Sequence, residues 1–411
     1  MIQSLAIRNF RSIEETQVAI SFAEGKAPNG YQDYPILPFI QVGVSRKARV
    51  CPALALYGAN GSGKTTLLLA LEFITKIVRS GWSPRMYQPN LTVSSSGDKN
   101  TSDFEIEFWS KGHLYRYCLS INKDGISQER LEMNQKTLFS IDNGEILFEG
   151  NSSAVTQEAT QCYRMRCLNI RDHQIKTFLM EVTYALPAVT KEITRAKDYL
   201  VSNLIFVQGD VPFKEGMKAL AQTFEGTGKE KKATDLMLNF LRKLDMSIVG
   251  MQLHAGKSAD GSPSCRLKVG RAEKEENEMW LNLADESKGT QRILGLFPLL
   301  LAAVREGKVI CVDQLDDSVH SLVLIQFVRL FKARQINKTG AQLVFTVNNT
   351  DVLASGLLGL SEVGIVSRRG PGGSKVLRLV DVPGLRNSDE FRRRYLRGDF
   401  GGIPFPYVFA D

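Results

Sequence analysis

One short stretch limits what this chain can fold into more than any other feature. Leu56-Tyr57-Gly58-Ala59-Asn60-Gly61-Ser62-Gly63-Lys64-Thr65-Thr66 fits Gly-x-x-x-x-Gly-Lys-Ser/Thr at every fixed position. At ordinary residue frequencies such a match arises by chance in roughly one chain in a hundred of this length. Ahead of it, Ala53-Leu54-Ala55-Leu56 is a short apolar run of the kind a buried strand makes. Behind it, Thr65 to Val78 is mostly apolar and free of Gly and Pro, which predicts a buried helix. Strand, small-residue loop and helix are the context the motif needs. Backbone N–H groups of such a loop, with the helix N-terminus, point at an anion, so Gly58, Asn60, Gly61, Ser62, Gly63, Lys64, Thr65 and Thr66 form the candidate nucleotide-binding set. Lys64 reaches the β and γ oxygens of ATP, and the Thr65 hydroxyl serves Mg²⁺.

Composition narrows the remaining possibilities. With 411 residues, 43% hydrophobic and 23% charged, the chain can bury one large core or two ordinary ones and needs no disorder. The longest apolar run, Ile293 to Val304, contains Pro298 and falls short of the roughly 20 residues a spanning helix requires, so no membrane is expected and a buried core helix is. Met1 to Arg8 lacks a basic region followed by an apolar stretch, which points to a cytoplasmic protein. Of the six cysteines only Cys162 and Cys167 are close, without a second pair at zinc-ligand spacing, so reduced thiols are expected. A net charge of +8 suits a polyanion but also describes many proteins that merely stay in solution.

Along the chain, residues 2 to 8 and 16 to 22 read as two strands joined through Asn9 to Ile13, and residues 23 to 47 as a loop with one strand near 39 to 44. Ser94 to Asn100 reads as a surface loop. Residues 104 to 108 and 114 to 121 alternate at period two, as an antiparallel pair does. Helices are expected near 177 to 186, 191 to 203 and 234 to 244, with Gly226 to Lys232 as an exposed connector. Two strands flank the turn-rich Ala255 to Ser264. From about residue 280 strands and helices alternate again: helix 289 to 305, strand 308 to 312, helix 319 to 335, strand 342 to 347, and a turn at Gly370 to Gly373 between two further strands. Such alternation implies a largely parallel sheet. Val309-Ile310-Cys311-Val312-Asp313 has the form of a buried strand that delivers a carboxylate to Mg²⁺ beside the phosphate loop, which makes Asp313 a metal candidate with Thr65.

Five stretches together resemble one family. Ile7-Arg8-Asn9-Phe10-Arg11-Ser12-Ile13, the phosphate loop, Glu286-Ser287-Lys288-Gly289-Thr290-Gln291-Arg292, Asp313-Gln314-Leu315-Asp316-Asp317-Ser318-Val319-His320, and Tyr395-Leu396-Arg397-Gly398-Asp399-Phe400-Gly401-Gly402-Ile403-Pro404 are similar, in order, to the ABC-type ATPases of the RecF/SMC/OLD group. The last of them looks like the RloA-like branch of stand-alone prokaryotic ATPases, common beside antiphage-defence genes. The resemblance implies an α/β fold: an ABC-type P-loop NTPase with a mixed central sheet, an antiparallel β subdomain and an inserted, largely helical middle region. Its halves would span residues 1–148 and 248–411, with the insertion at 149–247. It further implies a head-to-tail homodimer or higher homo-oligomer in which Ser287 and Gly289 of one subunit meet ATP held by the other, and it places Arg11 at the nucleotide. Independently, Ser287 precedes a long helix whose N-terminus favours an anion, although an ordinary N-cap would look the same.

Two positions depart from the family's pattern. Gln314 stands where Glu usually polarises the attacking water, and Asn348 stands where His usually follows the strand Leu343 to Val347. Gln can orient water but takes no proton, and Asn cannot titrate. Catalysis through Gln314 and Asn348 is therefore expected to be slow. Gln314 marks either a natural slow hydrolyser or non-hydrolysing switch, or an introduced trap. Arg386, Arg392, Arg393, Arg394 and Arg397 would spread around a helix instead of forming one stripe, which favours a solvated or subunit-facing helix over nucleic acid. The leading expectation is an ATP-gated sensor and scaffold in antiphage defence that holds a separate effector, a nuclease or toxin. A RecF-like ATPase clamping duplex DNA and a nucleotide-binding structural protein without turnover are the alternatives.

Overall fold

The computed structural model describes residues 1–22, 41–42, 46–47, 50–90, 101–142, 145–148, 161, 163, 175–185, 191–209, 216, 230–257, 263–272, 278–368, 373–386 and 390–404. Its centre is a six-stranded sheet in the order Leu204–Val207, Val309–Val312, Gln342–Thr346, Ala53–Tyr57, Val363–Arg368, Ser374–Arg378. The first five strands run parallel and the last returns antiparallel. Ala53–Tyr57, Val309–Val312 and Gln342–Thr346 are buried at every residue. That is why they read as continuous apolar runs, for helices cover both faces of a parallel sheet. Lys64–Ser80 packs on one side, while Lys288–Glu306 and Ser321–Lys332 contribute to the other core. Lys288–Glu306 is buried continuously from Arg292 to Val304 with Pro298 inside it, as the apolar run predicts.

The second sheet has seven antiparallel strands in the order Glu145–Phe148, Lys136–Asp142, Ile126–Met133, His113–Ile121, Ser102–Ser110, Ile2–Phe10, Ile13–Ala19. Its alternating burial, as in Ser102–Ser110, gives it one wet and one dry face. The dry face packs through Phe10, Phe104 and Phe108 into the core that also holds Leu67, Leu71 and Ile74 of the Lys64–Ser80 helix. Gln342 ties the sheets together. Its side chain bonds the N–H and C=O of Ile2, at 2.8 and 3.0 Å, and the carbonyl of Cys51 at 2.9 Å.

A mixed α/β architecture with an antiparallel subdomain is thus what the chain adopts. The stretch 149–247 supplies the helices Phe178–Ala185, Lys191–Ser202 and Glu230–Leu244, but also the strand Leu204–Val207 at the edge of the central sheet. It therefore enters the nucleotide fold itself. Ile248–Lys257, Pro263–Ala272 and Glu278–Asn282 form a separate three-stranded sheet. The expected features at 94–100 and 370–372, the connector at 226–229, the close pair's Cys162 and Cys167, and most of the turn at 255–264 lie outside the described residues or their described side chains. Cys51 and Cys311 are free and buried, and Cys118 is free and half-buried.

Candidate functional site

The site forms where parallel strands end. Ala53–Tyr57 runs into the phosphate loop, and the helix Lys64–Ser80 starts directly after Gly63 with no acidic residue in its first turn. Its positive end is thus left for an anion. Gly63 has a φ of +104°, and a Cβ there would lie 2.3 Å from Ser374 Oγ and 2.9 Å from Ser12 Oγ, so only glycine fits. Lys64 folds back over the loop: its Nζ donates to the carbonyls of Gly58 at 2.6 Å and Ala59 at 3.1 Å. An ammonium has three donors, which leaves one for a phosphate oxygen. Burial lowers the Lys64 pKa, while Asp313 and Asp316 raise it again.

Val309–Val312 delivers Asp313 to the same place. The Thr65 hydroxyl donates to Asp313 at 2.9 and 3.1 Å to its two oxygens, and the Thr346 hydroxyl donates to Oδ1 at 2.6 Å. Gln342–Thr346 lies between the loop strand and the Asp313 strand, so its carboxyl end falls between the phosphate loop and the carboxylate. Thr346 also accepts the Gln314 N–H at 2.7 Å. Gln314 is held in the left-handed region at φ +51°, its carbonyl taking Arg292 at 2.7 Å and the Asp317 N–H at 3.0 Å. A conformation that costs a non-glycine residue on the order of 1–2 kcal/mol persists because its surroundings over-determine it. Asp316 accepts the backbone N–H groups of Asn348 and Asn349 at 2.9 and 2.7 Å, which fixes the turn that carries Asn348.

Gly63, Lys64, Thr65, Gln314, Thr346 and Asn348 line a cleft of about 540 Å³ together with Ser12, Asn60, Gly61, Ser62 and Thr66. Its size suits a nucleotide-class ligand. Ser62 Oγ is buried there without a hydrogen-bond partner among the described residues, an orphan that a phosphate oxygen would satisfy. The Thr65 hydroxyl and the Asp313 carboxylate both offer oxygen, and no cluster of three His, Cys, Asp or Glu exists among the described residues. That donor set fits Mg²⁺, which takes one or two protein oxygens and completes its shell with phosphate and water.

The structure thus brings Asn60, Gly61, Ser62, Gly63, Lys64, Thr65, Thr66, Gln314 and Asn348 into one cleft, with Asp313 beneath it and Gly58 at its back. Arg11 is not among the lining residues. Its side chain bonds Gln88 and its guanidinium sits 5.8 Å from the Phe10 ring, while its neighbour Ser12 enters the cleft instead. Ser287 and Gly289 do not line this chain's cleft either. Ser287 is an exposed N-cap accepting the Thr290 N–H at 3.2 Å, and Gly289 lies against the Ser318 carbonyl. Ser12, Thr346 and Asp316 are the site groups that sequence reading misses. Of these, Thr346 leaves a signal there, as the hydroxyl that follows the apolar run Leu343-Val344-Phe345. No membrane-crossing helix is present among the described residues.

Comparison with known proteins adds the following. The family model described as "AAA domain, putative AbiEii toxin, Type IV TA system" matches residues 54–145 and 209–346, more than half of the chain. Among solved structures, a crystal structure of an SMC head bound to the C-winged helix domain of ScpA aligns at a TM-score of 0.48 and 14% identity, covering 92% of this chain and 96% of that one. An SMC head domain from Thermotoga maritima aligns at a TM-score of 0.44 and 12% identity, covering 92% and 98%. No curated protein matches the chain.

Proposed function

The chain belongs to this AAA-domain family, and on that premise we propose that it is an ABC-type ATPase acting as sensor and scaffold in prokaryotic antiphage defence. ATP-dependent pairing of two heads controls a separate effector, a nuclease or toxin. The family's description, which names a toxin of a type IV system, supports the defence setting, as does the similarity of the 395–404 stretch to the RloA-like branch. The observation that carries the pairing is the position of Ser287. It caps a helix of 19 residues with no acid in the first turn, an N-terminus suited to phosphate, yet it is exposed and absent from its own cleft. A second copy, arranged head to tail, supplies what one copy lacks.

Within each half-site, Lys64 and the loop N–H groups hold the β and γ phosphates, and Thr65 and Asp313 hold Mg²⁺. The ion supplies charge neutralisation on the phosphates when bound. Gln314 faces the cleft with an amide that orients water without accepting its proton, and Asn348 offers a further neutral hydrogen bond. Slow turnover, with a long-lived ATP-bound pair, follows from these two residues, in a protein we place in the cytoplasm. Arg392, Arg394 and Arg397 are ion-paired within the chain, to Asp351 and Asp399, which weakens the case for a DNA clamp.

The test mixes Lys64→Ala with Ser287→Arg subunits. Neither variant alone should pair on ATP, and the mixture should recover one intact composite site per dimer, read as ATP-dependent association. An ATP-bound monomer with a complete site would overturn the pairing. A pull-down from the native operon reads the effector; salt-sensitive duplex binding by the isolated chain would point to the clamp instead.

A further inference from the structure

Residues 395–402, most of the family-like stretch 395–404, take no part in the chemistry above. They pack behind the phosphate loop. The Tyr395 ring meets Tyr57 edge-on, with centroids 5.7 Å apart, one residue before Gly58. The Tyr395 hydroxyl donates to the Gly402 carbonyl at 3.3 Å. Burial raises the Tyr395 pKa, and the Gly58 backbone beside it works against that rise. Gly402, at φ +72°, lies so close that a Cβ would stand 2.5 Å from Ile365 Cγ2, 3.2 Å from the Val366 carbonyl and 3.6 Å from Gly58 Cα. Gly58 meets the same Val366 carbonyl from the other side, where a Cβ would come within 2.2 Å. The segment is stiff in its own right. Asp399 takes Arg394 at 3.0 Å and Arg397 at 2.6 Å, Arg394 lies over the Phe400 ring at 5.3 Å, and Phe400 is buried in the core. One turn earlier, Arg392 reaches Thr350 at 3.1 Å and Asp351 at 3.5 Å, beside the turn that carries Asn348.

We propose that residues 395–402 form the backstop of the phosphate loop, with Tyr395 a positioning residue that holds Gly58 where its carbonyl meets Lys64. Nucleotide affinity is then set partly from outside the cleft. A chain of contacts runs from Gly402 and Tyr395 through Gly58 to the Lys64 ammonium, and displacing its outer end lets the loop relax around an unfilled phosphate site. The proposal rests on nucleotide binding at this loop.

The experiment measures the dissociation constant of a fluorescent ATP analogue with Mg²⁺, and the melting temperature without nucleotide, for the full chain and its variants. Tyr395→Phe keeps the ring and should weaken binding about three- to tenfold, the reach of one buried hydrogen bond. Gly402→Ala should weaken it further. Arg393→Ala, at an exposed side chain that pairs only loosely with Glu390, should do nothing. Parent-like affinity in Tyr395→Phe, whether or not the melting temperature moves, overturns the proposal; should Gly402→Ala fail to fold, Tyr395→Phe decides alone. Lys64→Ala separates the two readings. If the parent binds and Lys64→Ala does not, the site is where it should be and only the backstop is at stake; if the parent itself fails to bind, nucleotide recognition is wrong.

Discussion

The two large sheets bury their residues under different rules, and the site follows from that difference. In the central sheet, Ala53–Tyr57, Val309–Val312 and Gln342–Thr346 have no wet face at all. Polar side chains there stand at strand ends, Gln342 at one end and Asp313, Thr346 and Asn348 at the end where the phosphate loop begins. In the seven-stranded lobe every second residue meets water, so charged pairs such as Arg116–Glu107 at 2.7 Å spread over its surface and contribute little each. Its only lining contribution to the cleft, among the described residues, is the hairpin tip at Ser12. One sheet should therefore answer to mutation in its chemistry and the other in its stability.

The sharpest test of that division is Gln314→Glu. A positioned general base is worth about 10² to 10⁴ in rate, so phosphate release should rise by up to that factor while the lifetime of ATP-bound dimers falls. Asn348 caps the gain. Equal rates for the two proteins would remove Gln314 from the catalytic position and leave the central sheet without its expected sensitivity.

The lobe offers the converse test at Glu129. It is fully buried, accepts the N–H groups of Phe178 and Leu179 at 2.6 and 2.9 Å, and takes the Tyr117 hydroxyl at 2.9 Å. Burial raises its pKa from 4.5 to about 7, with those three hydrogen bonds opposing the rise. Between these values the folded chain holds a proton that the unfolded chain has lost. Its contribution to stability therefore falls as pH climbs from 4.5 through about 7, by about 3 kcal/mol across the window, and no longer changes above it. Urea unfolding at pH 5 and pH 8 should show this slope, and Glu129→Gln should flatten it with nucleotide affinity unmoved. A change in affinity would break the comparison.

The smallest effect belongs to Ser12→Ala, where the lobe touches the cleft. Ser12 Oγ donates to Thr66 Oγ1 at 3.1 Å and accepts Ser374 Oγ at 2.9 Å. Its loss should weaken ATP binding about two- to fivefold, as for one partly exposed hydrogen bond, and leave the melting temperature within error.

What the sequence discloses follows the same line. The phosphate loop, the Asp313 strand and the helix capped by Ser287 are local patterns, and each is legible because its meaning depends on its immediate neighbours. Leu204–Val207 is a four-residue apolar run whose place in the sheet depends on pairing with Val309–Val312, so periodicity could not assign it. Asp316 is one of three acids between residues 313 and 317, and its role exists only because the backbone at Asn348 and Asn349 comes round to meet it. Arg11 and Ser12 share a tight turn, and nothing in their order says which of the two faces inward. The arginines near residue 394 read as a loose basic helix because the Asp399 that neutralises two of them lies beyond the helix end.

The pairing of Ala53–Tyr57 has a consequence for how the protein is made. Both neighbours of that strand, Gln342–Thr346 and Val363–Arg368, come from the other end of the chain. A ribosome adding about 5 to 20 residues per second places them roughly 15 to 60 s after the strand itself has emerged. For that interval an apolar strand of the nucleotide fold stands with both edges open, the state in which strands aggregate. The antiparallel lobe, whose strands follow one another within the first 148 residues, can close long before. The nascent chain thus waits with a finished lobe and an unpaired phosphate-loop strand, and its dependence on chaperones during synthesis should concentrate in that wait.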